Sequence, residues 1–147
     1  MKTIHFSIVT PERVVFEAAA VESISLPTRL GEITVLPDHL PLVSNVVAGE
    51  VRVRVGGQEV SLAVSGGFLE VRPGSLTVLA DTAERAEEID ESKAEAARAR
   101  AHELMQQKRT AESTDYAALA AKLEKELARL NVVRKRRERK TPTIHVE

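Results

Sequence analysis

From the N-terminus to about Asp81, apolar and polar residues alternate with a period of two. In EVRVRV, Val51, Val53 and Val55 share one face and Arg52 and Arg54 take the other, the pattern of a strand with one wet side. HFSIV, RVVFEA, VESISLP, EITVLP, QEVSLAV, GFLEV and SLTVLA read the same way. Pro11, Gly31, the Pro37 and Pro41 pair, Gly49, Gly56–Gly57, Gly66–Gly67 and Pro73–Gly74 punctuate them. The two diglycines read as hairpin turns. Strands at a spacing of roughly 8 to 12 residues predict an antiparallel sandwich or barrel, and the connections are too short for parallel crossovers.

After Asp81 the period changes. No proline or glycine occurs until Pro142, and 13 alanines fall between Ala83 and Ala128, so the segment reads as helix. Asp81 or Asp90 can cap its start, with Glu84, Glu87, Glu88 and Glu91 suited to the positive end of a helix dipole. Ala94, Ala97, Ala101, Leu104 and Met105 form a narrow apolar stripe. TAESTD then interrupts, and a second stripe follows at Tyr116, Leu119, Leu123, Leu127 and Leu130 before a basic end. The expected fold class is α+β: a β-sandwich over residues 1–84, an antiparallel helical hairpin over 85–140 and a flexible tail over 141–147.

Charge adds a division that the net value of −1 conceals. Residues 1–82 carry 6 basic and 9 acidic side chains, and 83–147 carry 15 and 13, so the excess of positive charge sits in the tail. The absence of cysteine excludes disulfides, thiolate catalysis and cysteine-based metal sites. The N-terminal residues have neither the apolar core of a signal peptide nor the bias of a transit peptide, and no run approaches membrane-spanning length.

No catalytic constellation emerges. The diglycines lack the Lys-Ser/Thr of a phosphate loop, and His5, His39, His102 and His145 have no ligand-like partner at helical spacing. Ser65 and Ser75 lie beside turns without an identifiable base. No metal or cofactor is expected. The run RKRRERK, residues 134–140, holds six basic side chains and one glutamate and admits three readings: a solvated helix end, a nucleic-acid arm, or a clasp for an acidic protein surface. Against the nucleic-acid arm stand an acidic β domain and an aromatic content of 3%.

GEITVLPDHLPLVSNVVAGEVRVR (31–54) and LAVSGGFLEVRPGSLTVLADTAERAEEID (62–90) resemble the epsilon chain of bacterial F-type rotary ATP synthases. The resemblance includes the Leu-Pro-x-His-x-Pro-Leu turn at 36–42, the strand start at Gly49, the Ser-Gly-Gly-Phe-Leu-Glu-Val run at 65–71, and Val78-Leu79-Ala80-Asp81 leading into the alanine-rich hairpin. It implies a sandwich of about ten strands and a non-catalytic place on the central stalk, between the gamma chain and the c-ring. It implies coupling of rotation to proton transport and restraint of ATP hydrolysis by the hairpin. Glu32, His39, Leu40, Pro41, Gly66, Gly67, Phe68 and Glu70 match positions where the family meets gamma or the ring. Asp38 replaces a usual glycine, and Asp tolerates positive φ better than most other residues.

Some family members bind ATP in the hairpin through an Ile/Leu-Asp-x-x-Arg-Ala motif. Here it reads Ile89, Asp90, Glu91, Ser92, Lys93, Ala94, with Arg100 as a further cation. Lysine does not replace arginine at a bidentate site, so weak or absent regulatory ATP is expected, with Asp90 as an ordinary helix cap. By the same resemblance, Arg134, Lys135, Arg136, Arg137, Arg139 and Lys140 would meet acidic loops of the beta chains, beside alpha, when the hairpin opens along gamma. The mostly alanine stripe of the first helix buries little, so the arm is expected to have two positions. The implied location is the cytoplasmic face of a bacterial plasma membrane, peripheral and without nucleic acid. A nucleic-acid-associated cytoplasmic adaptor is the alternative from another class.

Overall fold

A computed structural model of the chain describes residues 2–107 and 113–140. Its nine strands are β1 (Ile4–Val9), β2 (Val14–Thr28), β3 (Gly31–Val35), β4 (Leu42–Val46), β5 (Gly49–Val55), β6 (Gln58–Val64), β7 (Gly67–Arg72), β8 (Ser75–Ala80) and β9 (Ala83–Arg85). A 3-10 turn, Ala86–Glu88, leads into α1 (Glu91–Gln107) and α2 (Ser113–Lys140).

The strands run in the order β4-β7-β8-β1-β2-β5-β6-β9, with β3 also on β2, in an open sheet folded into a sandwich. The long β2 makes the fold. Its first half pairs with β1, and its second half lies between β3 and β5. Shifts of register at Ile4/Phe6 and Val21/Ser23 bend the strand from one layer into the other. The layers close on Phe6, Ile8, Ile24, Leu26, Val51, Val53, Leu62, Leu69 and Leu76, all fully buried, and the Phe6 and Phe16 rings meet at 5.9 Å.

Several expectations change. RVVFEA and VESISLP are one strand, because Ala18–Ala20 carry no turn signal. LVSNV, which follows Pro41, is also a strand, and the described residues hold nine strands, in keeping with the expected count of about ten. β1 and β8 pair in parallel, which short connections do not forbid for strands so distant in sequence. Gly56–Gly57 is the expected hairpin turn, with φ of 58° and 73°. Gly66–Gly67 is not: β6 and β7 do not pair, and the diglycine carries the chain from one layer to the other.

The helix also begins later than its composition suggests. Ala83–Arg85 adds a strand to β6, so the expected boundary after residue 84 falls inside β9, and Asp81 caps no helix. Asp90 does, accepting from the Lys93 amide at 3.1 Å. α1 has 17 residues and α2 has 28. Of TAESTD, Ser113–Asp115 open α2, while 110–112, like the tail 141–147, lie outside the described residues.

The hairpin lies folded against the sandwich. Ala63, Ala86, Ile89, Ala94, Leu130 and Val132 form a second core, with α2 over the outer face of β5 and β6. The buried arc of α2 therefore follows the expected leucine stripe only in part, with Leu130 buried and Leu119 and Leu123 half-buried. Tyr116 and Leu127 are exposed, whereas Glu126, Ala128, Leu130 and Val132 are buried, because α2 touches α1 on one side and the sheet on another. In α1, Ala94 and Ala101 are buried but Leu104 is exposed.

Candidate functional site

Two surfaces gather the residues singled out by sequence. The first is the outer face of β4, β7 and β8. Side chains alternate along β7, so that Leu69 and Val71 enter the core and Phe68 and Glu70 face out. Phe68 pairs in register with Leu79 on β8, and Glu70 with Val43 on the edge strand β4. Val43, Phe68 and Leu79 are 71%, 58% and 57% exposed, an unusual apolar outlay for a single face. With Glu70 and Thr77 they line a shallow depression of about 340 Å³.

Gly66 and Gly67 belong to this region for a backbone reason. Both have positive φ, 123° and 149°, and a Cβ on Gly67 would come within 2.0 Å of the Leu79 carbonyl oxygen. Ser65 secures the same corner, its Oγ accepting from the Thr82 amide at 3.0 Å.

His39, Leu40 and Pro41 lie in the loop that enters β4, with Asp38 and His39 near the β7–β8 hairpin. Asp38 has φ of 65°, the positive value glycine usually supplies, and its carboxylate pairs with Lys2 at 2.5 Å. That contact, by hydrogen bond first, raises the Lys2 pKa. His39 Nδ1 lies 2.6 Å from the Leu40 carbonyl, and Leu40 is exposed. Glu32 sits apart, at the opposite end of β3 beside the exposed Leu30, and accepts from Arg52 on β5 at 2.5 Å. Sequence matching selected Phe68 and Glu70 but missed Val43 and Leu79. The available signal was their phase: in SLTVLA, Leu76 and Val78 point inward, so Leu79 must point outward.

The second surface is the end of α2. Helical geometry distributes RKRRERK over three faces. Arg134 and Arg137 turn toward α1: Arg134 is 3.4 Å from Glu95 and 3.9 Å from Glu91, and Arg137 pairs with Glu91. Lys135 and Arg139, four residues apart, turn toward the sheet. Arg139 donates to Glu50 at 2.6 Å and Ser61 at 3.0 Å and lies 3.1 Å from Glu59; Lys135 is 4.0 Å from Glu50. Arg136 meets Glu87 at 2.9 Å, after the last strand. The run is therefore not a bare solvated end.

The Arg139 pKa is raised, chiefly by the hydrogen bond to Glu50 and against a smaller opposing effect of burial. Nearly three turns upstream, Arg129 is 2.6 Å from Glu84 and donates to the buried Glu126 at 2.8 Å. Burial opposes the charge of Arg129, but Glu126 and Glu84 outweigh it and its pKa is raised. Glu95 is lowered, first by its hydrogen bond from Arg98. Of these acceptors the sequence named Glu84, Glu87 and Glu91 only as acids of a helix start, and Glu50, Glu59, Glu95 and Glu126 not at all. One signal was present: SLAV in β6 abandons alternation, and its four residues are all buried because Ser61 and Ala63 lie under α2.

The motif of 89–94 is dispersed. Ile89 and Ala94 are buried in the second core, Asp90 caps α1, and Lys93 and Arg100 point to solvent. These five residues line no common cavity among those described.

Known proteins resemble the chain along its length. A family model for the ATP synthase delta/epsilon chain β-sandwich domain matches residues 3–86, and one for the delta/epsilon long α-helix domain matches 87–134. The ATP synthase epsilon chain of Chloroflexus aggregans is 47% identical over 129 residues, 88% of this chain and 91% of that one. That of Nitrosococcus oceani is 42% identical over 138 residues, covering 93% and 96%. Among solved structures, a chain of the Euglena gracilis mitochondrial ATP synthase shares the fold, with a TM-score of 0.72 at 24% identity over 84% of this chain and 77% of that one.

Proposed function

The chain belongs to the delta/epsilon chain family of ATP synthases, and from that premise we propose that its sandwich docks on the gamma chain and c-ring while its hairpin restrains ATP hydrolysis. One observation carries this reading. The two family matches run from residue 3 to 134 and meet at the 3-10 turn, where a sheet with an exposed apolar face hands over to a hairpin held on it mainly by small residues and ion pairs. The subunit is non-catalytic in this account; it transmits torque and position.

The gamma contact is assigned to Val43, Phe68 and Leu79 with Glu70 beside them, because exposed aromatic and aliphatic side chains on a rigid sheet lose little conformational entropy on docking. The loop of His39, Leu40 and Pro41, together with Leu30 and Glu32, is assigned to the ring. Membrane association is peripheral, through the complex, at the cytoplasmic face; among the described residues no helix is long and apolar enough to cross a bilayer. Regulatory ATP binds weakly or not at all, since Ile89 and Ala94 are committed to packing. Tight, saturable binding in titration calorimetry would overturn that part.

Phe68→Ala is expected to weaken binding to purified gamma by about 10- to 100-fold, the cost of truncating an anchor residue, without changing the fold. Unchanged affinity would move gamma to another face. In a reconstituted complex, replacing the full chain by one ending at residue 90 should raise hydrolysis and preserve synthesis; equal hydrolysis rates would remove the inhibitory role.

A further inference from the structure

The proposed inhibitory contact and the closed hairpin draw on the same cations, and that overlap has a consequence for how the arm is set. We propose that Glu50 and Glu59 on the β5–β6 hairpin form an acidic latch for Arg139 and Lys135, and that this latch sets the balance between the closed and open arm.

The ion pairs of α2 fall into two classes. Arg134 with Glu91 and Glu95, and Arg137 with Glu91, join α2 to α1 and travel with the hairpin if it swings out as a unit. Glu126 with Arg129 is likewise internal to α2. Among the described residues, the ion pairs of α2 that span arm and body are Arg139 and Lys135 on Glu50 and Glu59, Arg136 on Glu87, and Arg129 on Glu84. Opening must break these. Arg139 is the most heavily engaged, with two carboxylates and the Ser61 hydroxyl around one guanidinium.

Glu50 makes the latch more than a surface pair. Its side chain is 9% exposed in the closed form while that of Arg139 keeps 36%, so Glu50 is the partner withdrawn from water and the one not cheaply left alone there. Arg136, Arg139 and Lys140 also line, with Gln58, Glu59 and Glu87, an open groove of about 590 Å³, so solvent reaches the latch from one side. Release can therefore begin at the C-terminal end of α2 and proceed toward Leu130. The apolar part of the docking surface beneath is small, chiefly Ala63, Ala86, Leu130 and Val132, which lets a few ion pairs weigh in the balance.

The cations themselves are poor test sites, because their removal would weaken the closed arm and the proposed beta-chain contact together. Glu50 and Glu59 act only in the closed form. The chain has no native cysteine, so Arg29→Cys on the sandwich and Glu138→Cys on α2 accept a label pair that reports arm position in the isolated protein. A second pair, Glu103→Cys and Lys122→Cys, reports the hairpin itself.

The double change Glu50→Gln, Glu59→Gln should raise the open-to-closed ratio about tenfold at low salt, with the second distance unchanged. Glu91→Gln with Glu95→Gln should leave the arm-to-sandwich distance as it was. Arg139→Gln gives the same reading as the double change should Glu50→Gln disturb β5. An unchanged arm distance in the double variant and in Arg139→Gln would overturn the latch, as would equal opening by Glu91→Gln with Glu95→Gln. The effect on the assembled enzyme rests on the function proposed above: opening the arm should lower hydrolysis. If the distance shifts and hydrolysis does not, the latch stands and the inhibitory reading falls.

Discussion

At the scale of single residues, backbone conformation explains positions that a functional motif alone would leave ambiguous. Gly67 lies in the run that resembles a binding edge, yet its first constraint is steric: the β8 carbonyl at Leu79 occupies the space of a Cβ. Gly67→Ala is expected to cost about 2–4 kcal/mol, through a strained φ and the displacement of β7 from β8, read as a lower midpoint in urea unfolding. A change within about 0.5 kcal/mol would mean that the corner yields freely. Asp38 shows the opposite case, a non-glycine residue accepted at φ of 65° where its carboxylate also meets Lys2.

At the scale of elements, α2 is attached by a short apolar segment near its C-terminal half. Leu130 is 1% exposed and lies among Ala63, Ala86 and Ile89, whereas Tyr116 is 43% exposed. Leu130→Ala should cost about 2–5 kcal/mol by lost transfer energy and an unfilled cavity. That cost should be local. Amide exchange in α1 and α2 should accelerate while β1, β2 and β5 keep their protection, because the core of Phe6, Ile24 and Val53 does not involve the helices. Uniform acceleration throughout would show that arm and sandwich unfold together.

At the scale of the whole molecule, the same separation predicts that residues 1–90 fold alone. The cut must lie after the 3-10 turn, since ending at residue 84 would sever β9 and expose the edge of β6. A single cooperative unfolding transition, with gamma affinity close to that of the full chain, is the expected result. Loss of cooperativity would make the hairpin part of the sandwich core. Charge is organised at this scale as well: of the acidic side chains of the first 82 residues, Glu50 and Glu59 face the basic end of the last helix, so the two halves attract each other within one chain.

Local chemistry wrote much of this into the sequence. Alternation marked most strands, Gly56–Gly57 set a hairpin, Asp90 began a helix, and alanine without glycine or proline kept two helices intact, because each depends on neighbours along the chain. The motifs also sufficed to identify the family. What only the tertiary structure decided are the pairings between distant segments. Nothing local states that β1 runs parallel to β8, that β2 serves both layers, or that Gly66–Gly67 bridges them. RKRRERK is the clearest instance: its charge was plain, but its partners Glu50, Glu59, Glu87, Glu91 and Glu95 lie on β5, β6, the 3-10 turn and α1, and meet the run only because α2 folds back along α1 and over β5 and β6. A charge in sequence has a sign and a reach; which opposite charge it meets is a property of the packed fold.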